Sequence, residues 1–222
     1  RANSMHRCLI VLPALLAAPL AGCVVGITNG EPYKEALRGS YTNFTRVDVS
    51  AGVETVISQG PFDVKAEIKK GKNFDNLIVE VQGDTLVVSR KSTMFSWGDG
   101  TEYRVAVTAP AYRAFGVSSG ASLDGANLSL QDVDVSVSSG ASADLSGTCG
   151  KLDVNISSGA RFDGEGLRCG SAKVDASSGA SADAFATQEA DGSASSGASV
   201  TFHGSPAQVH KDSSSGGSVN AR

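Results

Sequence analysis

The chain has 222 residues, and its 19 basic and 23 acidic side chains give a formal net charge of −4 at pH 7. A mildly acidic chain without a basic stripe is a poor match for nucleic acid, so we expect no nucleic-acid partner. No stretch combines good helix formers with apolar residues at helical spacing, and no short metal-binding, phosphate-binding or nucleophile motif occurs. We therefore expect an all-β fold, no catalytic residues and no cofactor.

The first 22 residues have the features of a bacterial signal peptide. Residues 1–4 precede the candidate initiator Met5 and are either added residues or an upstream extension. Arg7 supplies a positive charge, and the apolar run from Cys8 to Leu20 is too short to span a membrane. The pattern predicts that this segment is removed from the mature protein.

The run Leu20-Ala21-Gly22-Cys23 resembles the lipobox of bacterial lipoproteins. The resemblance implies cleavage before Cys23, lipid attachment to its thiol, and a tether over 23–40. Val24 follows the cysteine where aspartate would favour retention, so similarity to enterobacterial sorting rules implies the outer membrane. The alternative is an ordinary signal peptide with a stray cysteine.

Residues 41–112 form the strand-rich N-terminal part of the expected domain. Gln59-Gly60-Pro61 and Gln82-Gly83-Asp84 are turn signals between segments rich in valine and isoleucine. Larger apolar side chains here predict a better-packed core than in the rest of the chain. The expected strands are Phe44–Val49, Val53–Ser58, Phe62–Ile68, Leu77–Val81, Thr85–Ser89 and Tyr103–Ala109.

Residues 113–222 are organised around a recurring pentapeptide, Ser-Ser-Gly-Ala-Ser and close variants. Its central glycines recur in steps of 18 to 20 residues, a period typical of solenoids. We predict a right-handed parallel β-helix with coils of about 19–20 residues, stacked ~4.8 Å apart. The glycines are Gly120, Gly140, Gly159, Gly179, Gly197 and Gly216. A disordered Gly/Ser tract is the alternative, but the regular apolar alternation disfavours it.

Strand alternation predicts the orientation of each copy. If the pentapeptide is extended, Val117, Ser119, Ala121 and Leu123 share one face, which is small and apolar and therefore interior. The same rule places the second serine of every copy inside, at Ser139, Ser158, Ser178 and Ser196.

The order of these features resembles the head GIN domain family, which has been labelled an auto-transporter adhesin. The similar positions begin with Phe44, Val47, Val49 and Gly52-Val53. They continue with Val56, Ile57, Gln59-Gly60 and Val64-Lys65-Ala66. The resemblance continues through 83–88 and Pro110 to the first pentapeptide, so that it covers roughly 41–222. The resemblance implies an all-β helical fold in an envelope lipoprotein and brings no catalytic residues with it.

Four aspartates lie four residues after successive motif glycines and should stack into a ladder: Asp124, Asp144, Asp163 and Asp183. Such a column is a weak candidate for binding divalent cations, which prefer oxygen ligands. A carboxylate pair of a glycosidase is a further alternative. The simplest interpretation is a solvated acidic stripe, so no metal site is assigned.

Three apolar side chains in the loop 91–100 are candidates for partner binding: Met94, Phe95 and Trp97. An exposed aromatic loop can dock on a partner or a sugar face. Alternatively, these side chains fold back over an open flank of the β-helix.

Cys149 and Cys169 each lie three residues before an equivalent strand, at Leu152 and Ala172. Stacked coils place equivalent Cα atoms ~4.8 Å apart, within the range of a disulfide. Export to an oxidising compartment would close the bond. Two free thiols in interior positions are the alternative.

We interpret the protein as a lipid-anchored envelope module that binds or adheres, with a glycan, an envelope protein or another copy of itself as candidate partners. A polysaccharide-active enzyme on the same scaffold is the alternative. A cleft joining the aspartate ladder to basic residues would favour the enzyme, and a flat polar face would favour the module. The last coil, 213–222, lacks an apolar cap, so we expect it to be weakly protected or to stack on another molecule.

Overall fold

The computed structural model describes residues 41–71, 74–91 and 100–222. This part of the chain is all β, and it contains no helix that is long and apolar enough to cross a membrane. Its strands are β1 Arg46–Val49, β2 Glu54–Gln59, β3 Asp63–Lys70, β4 Leu77–Gln82, β5 Thr85–Arg90, β6 Glu102–Ala109, β7 Ala114–Val117, β8 Ser122–Ser129, β9 Asp132–Val137, β10 Ser142–Ile156, β11 Arg161–Ala176, β12 Ser181–Ala194, β13 Ser199–His203, β14 Gln208–Ser213 and β15 Ser218–Ala221.

The strands stack in two parallel columns, which confirms the expected β-solenoid. One column runs β5, β1, β7, β9 and then through the C-terminal halves of β10, β11 and β12 to β14. The other runs β6, β2, β8 and then through the N-terminal halves of the same three strands to β13 and β15. We call their outward surfaces the first face and the second face.

The pentapeptide is a tight turn between the two columns and not a continuous strand. Ser119 and Gly120 both have positive φ, 54° and 71°, and the Ala121 amide closes the turn on the Ser118 carbonyl at 3.1 Å. Two consecutive positive-φ residues are typical of a type I′ turn. The Gly120 amide donates to the Ser139 carbonyl in the turn of the next coil. Each turn is therefore bonded to the next, which explains why the same motif recurs in every coil.

The expectation that the second serine lies inside is therefore wrong. Ser119 is exposed, because the turn interrupts the alternation on which the expectation rested, and the same holds for Ser139, Ser158, Ser178 and Ser196. The residues on either side of the turn, such as Val117 and Ala121, remain buried as expected.

The coil pattern begins before residue 113. Ala51 and Gly52 have the same pair of positive φ angles, and the Gly52 amide donates to the Ser119 carbonyl. β1 and β2 therefore form a coil stacked on β7 and β8. The boundary at 112/113 marks the point where the pentapeptide becomes recognisable in the sequence.

Two antiparallel strands cover the N-terminal end of the stack. β5 and β6 lie outside β1 and β2 although they follow them in sequence, and β4 and β3 pair antiparallel with them. β3 alternates three buried residues with charged ones, a composition that discourages an edge from pairing with another chain. All six expected N-terminal segments form strands, with ends within about two residues.

The interior is one continuous apolar core whose side chains become smaller along the solenoid. Near the N-terminal end Phe44 packs edge-on against Phe62, with ring centroids 5.1 Å apart. Farther along, many alanines line the interior, and Phe162 and Phe202 are fully buried aromatic side chains among them. Toward the last coil every residue of β14 is exposed, and Val209 keeps 41% of its surface accessible.

Candidate binding surfaces

The four predicted aspartates stack in register on the second face. Asp144 pairs with Asp124 on one side and with Asp163 on the other, and Asp163 pairs with Asp183. Burial and the neighbouring Asp163 and Asp124 raise the pKa of Asp144, against the opposing charge of Arg161. Burial and Glu54 likewise raise the pKa of Asp124, which Arg104 opposes. The column is thus a line of mutually repelling carboxylates.

Basic side chains contact this aspartate ladder at intervals. Arg161 forms an ion pair with Asp163 at 3.1 Å, and His203 Nε2 lies 3.3 Å from Asp183. At the N-terminal end Glu54 contacts both Lys69, at 2.5 Å, and Arg104. Burial would raise the pKa of Glu54, but the hydrogen bonds from Lys69 and Arg104 outweigh it and hold this pKa below its usual value.

The ladder lies on a flat strand surface, and it lines none of the three grooves described on this molecule. Within residues 41–71, 74–91 and 100–222, no group of three or more His, Cys, Asp or Glu side chains is arranged to hold a metal ion. None of these three grooves therefore joins the ladder to basic residues.

A groove of about 450 Å³ crosses four coils of the first face and is lined by polar side chains together with Val137, Ile156 and Ala176. One wall is the stacked set Ser136, Asn155, Asp175 and Ser193, and the other is the first serine of each turn. We call this feature the serine groove. In the described structure the hydroxyls of the second wall, Ser138, Ser157, Ser177 and Ser195, make no side-chain hydrogen bond to protein. They are available to a ligand or to water.

A second cavity of about 530 Å³ lies where two successive coils bend into the first face. Residues 110–113 form one side and residues 129–132 form the other, with Gln59 and Asp134 completing the lining. We call it the corner cleft. Tyr112 is 3% exposed at its base, and burial raises the pKa of this phenol, which therefore stays protonated.

Sequence reasoning did not find either cavity. The serine groove could have been predicted from the repeat. If the pentapeptide is known to be a turn, the first serine of every copy must lie on the same face of the solenoid. The corner cleft has no comparable signal, since Arg113 and Asp132 come from the bends of different coils.

The structure joins Cys149 and Cys169 by a disulfide between adjacent coils, with their Cα atoms 4.5 Å apart. The two residues are direct partners in the β10–β11 register, as the sequence alignment of the coils predicts. The candidate partner loop with Met94, Phe95 and Trp97, and the candidate lipid-attachment residue Cys23, lie outside the described residues.

Comparison with known proteins identifies the family of this chain. The family described as "Putative auto-transporter adhesin, head GIN domain" matches residues 43–206. The chain belongs to this family. No curated protein matches the chain.

Among solved structures, a "putative adhesin" from Bacteroides fragilis is similar with a TM-score of 0.65 at 13% identity, covering 82% of this chain and 93% of that one. A "putative lipid binding protein" from Parabacteroides distasonis covers the same shares at 15% identity, with a TM-score of 0.49. At these identities the likeness concerns the fold alone.

Proposed function

We propose that this head GIN protein is a lipid-anchored module of the bacterial envelope that holds a partner on its first face and performs no catalysis. Membership of an adhesin family supports a role in binding. The observation that carries the proposal is the serine groove, a continuous surface of free hydroxyls held at fixed spacing by a rigid turn ladder. A surface built in this way presents many weak hydrogen-bonding groups whose positions are already fixed, which limits the entropy lost on binding.

The proposed anchor is the thiol of Cys23, followed by a tether over 24–40. Each methylene buried in the bilayer contributes about 0.8 kcal/mol, so several acyl chains would retain the protein at the outer membrane. Cys23→Ala should release the protein from the membrane fraction and abolish palmitate labelling. Labelling that persists in the variant would refute the anchor.

The contact surface is tested with two matched variants of the full lipidated chain in detergent micelles. The groove variant replaces Ser138, Ser157, Ser177 and Ser195 with alanine. The control variant makes the same change at Ser122, Ser142, Ser181 and Ser199, which lie in one column of the second face with Arg161 between the two pairs. Both sets lack side-chain hydrogen bonds in the described structure, so both variants should fold.

The two variants and the parent are compared on printed arrays of surface polysaccharides, mucins and matrix proteins. We expect the parent and the control variant to bind the same array features and the groove variant to lose them. The same loss in both variants would assign the contact elsewhere. A parent chain that binds no array feature would contradict the proposed function.

A further inference from the structure

We propose that the corner cleft is a binding site for a sugar that carries a carboxylate, such as a uronate or a sialate. This inference rests on the proposed binding function and names a ligand class for one site on the same first face. It is carried by an unpaired cation and two unpaired carboxylates that line one cleft with an apolar base.

The backbone of the cleft is fixed on both sides of Arg113. Its amide donates to the Thr45 carbonyl at 2.7 Å, and its carbonyl accepts from the Asp134 amide at 2.9 Å. Neighbouring coils therefore hold the main chain, while the side chain of Arg113 is exposed. The guanidinium is presented by a rigid bend.

Two side chains brace the walls. The amide of Gln59 both donates to the Ser129 carbonyl, at 3.0 Å, and accepts from the Ser129 amide, at 2.6 Å. The Tyr112 hydroxyl reaches the carbonyls of Ser58 and Val107, at 2.9 and 3.1 Å. These contacts tie the bends of successive coils to β2 and β6, so the cavity exists before any ligand arrives.

The charges in the cleft lack partners within the protein. Among the described residues, Arg113 forms no ion pair, and neither do Asp132 and Asp134, although all three line the cavity. A guanidinium is well suited to bind a carboxylate with two parallel hydrogen bonds. The two aspartates accept hydrogen bonds from hydroxyl groups.

A single class of ligand fits these groups together. An acidic sugar brings one carboxylate for Arg113, several hydroxyls for Asp132 and Asp134, and an apolar C–H face for Pro110 and Leu130, which also line the cleft. A larger glycan has room to extend, since Asp134 in the cleft and Ser136 in the serine groove are two residues apart on the same face of β9.

The inference is tested by calorimetry on the full chain in detergent micelles. The probes are the methyl glycoside of N-acetylneuraminic acid, digalacturonate, the methyl ester of each, and lactose. We expect the acids to bind at least about tenfold more tightly than their esters, because esterification removes the charge that Arg113 recognises. Arg113→Ala should abolish this preference, and Arg113→Lys should restore part of it.

Arg161→Ala is the matched control, because it removes an exposed arginine from the second face. It should leave the preference for the acids unchanged, and thermal unfolding of each variant verifies that it folds. Equal affinity for acid and ester, or a preference that survives Arg113→Ala, would overturn the inference. Binding of the acidic peptide Asp-Glu-Asp-Glu in place of the sugars would also overturn it, in favour of a protein partner.

The outcome is separable from that of the proposed function. If the array experiment succeeds and neither acid binds the cleft, the ligand assignment fails and the binding module stands. If the acids bind in an Arg113-dependent manner while the groove variant keeps every array contact, the serine groove is not the contact surface.

Discussion

The ring of Phe202 occupies the space that a side chain at Gly192 would need. A Cβ atom on Gly192 would lie 2.6 Å from a ring carbon of Phe202 and 2.7 Å from Val219. Gly192 faces inward on β12, and Phe202 is fully buried on β13. Gly164 leaves room for a ring of its own strand, since a Cβ there would lie 2.6 Å from a ring carbon of Phe162, two residues earlier on β11. In a narrow alanine-lined solenoid, an inward glycine thus makes room for an aromatic ring.

Gly192→Ala should destabilise the protein by about 1–3 kcal/mol, the usual effect of forcing an extra methyl into a packed core. Urea denaturation measures the change. Gly60→Ala is the comparison and should cost less, because its Cβ would meet only one group, the Thr108 methyl, at 3.1 Å. Adding Phe202→Leu to Gly192→Ala should recover part of the loss, and no recovery would contradict the steric explanation.

Substitutions in the turns should change stability through backbone conformation alone. Ser139 and Gly140 have φ of 54° and 69°, and a Cβ on Gly140 would meet nothing within 4 Å. Gly140→Ala should therefore destabilise by about 1–2 kcal/mol through left-handed strain without a clash. Ser139→Asn should stabilise by about 0.5 kcal/mol, since asparagine before glycine suits this turn better. Thermal unfolding checks both, and a Gly140→Ala variant as stable as the parent would refute the turn assignment.

The sequence predicts which residues of adjacent coils lie next to each other, because this register depends only on the number of residues in each coil. The glycine period gave the coil register, so the partners of Asp144 and of Cys149 could be stated in advance. The position of Ser119 could not be predicted by alternation, because two positive-φ residues reverse the chain there. The coil containing Ala51 and Gly52 was missed because β3 to β6 are inserted before the next turn and interrupt the period.

The binding surfaces were harder to predict, because they depend on how separate coils meet. Arg113 and Asp134 come together only when β7 stacks on β9, where the Asp134 amide donates to the Arg113 carbonyl. The contact between Gly192 and the Phe202 ring could not be predicted either. The sequence does not show which inward-facing positions lie opposite one another across the coil.

The contribution of Asp124 and Asp144 to stability should rise as the pH falls from neutral through their raised pKa values. Burial, and after it the neighbouring carboxylates, raise the folded-state pKa values of Asp124 and Asp144, so the cost of holding both charges is fully present above those values and is lost as the groups protonate. Glu54 acts in the opposite sense only at lower pH, since its pKa is lowered. Asp144→Asn should stabilise at pH 7 by roughly 0.5 kcal/mol, a small effect because these carboxylates contact solvent.

The control for this prediction is Asp153→Asn on the first face, where Asp153 is paired in register with Lys173 and Asp134. It should not stabilise the protein, because it removes the attraction of Asp153 to Lys173 together with its repulsion from Asp134. Thermal unfolding at several pH values between 7 and about 4, the ordinary aspartate range, measures each variant. If Asp144→Asn gains no more than Asp153→Asn, repulsion along the ladder is not a significant destabilising force.

The disulfide between Cys149 and Cys169 should clamp two coils whose small inward residues pack little apolar surface. The bond closes a loop with a sequence separation of 20 residues, and the chain-entropy estimate for such a loop is about 3 kcal/mol. Protein isolated from the periplasmic side without reductant should have no titratable thiol at either position by mass spectrometry. Reduction, or the double change Cys149→Ser and Cys169→Ser, should lower stability by about this amount. Two free thiols in the unreduced protein would rule out the clamp.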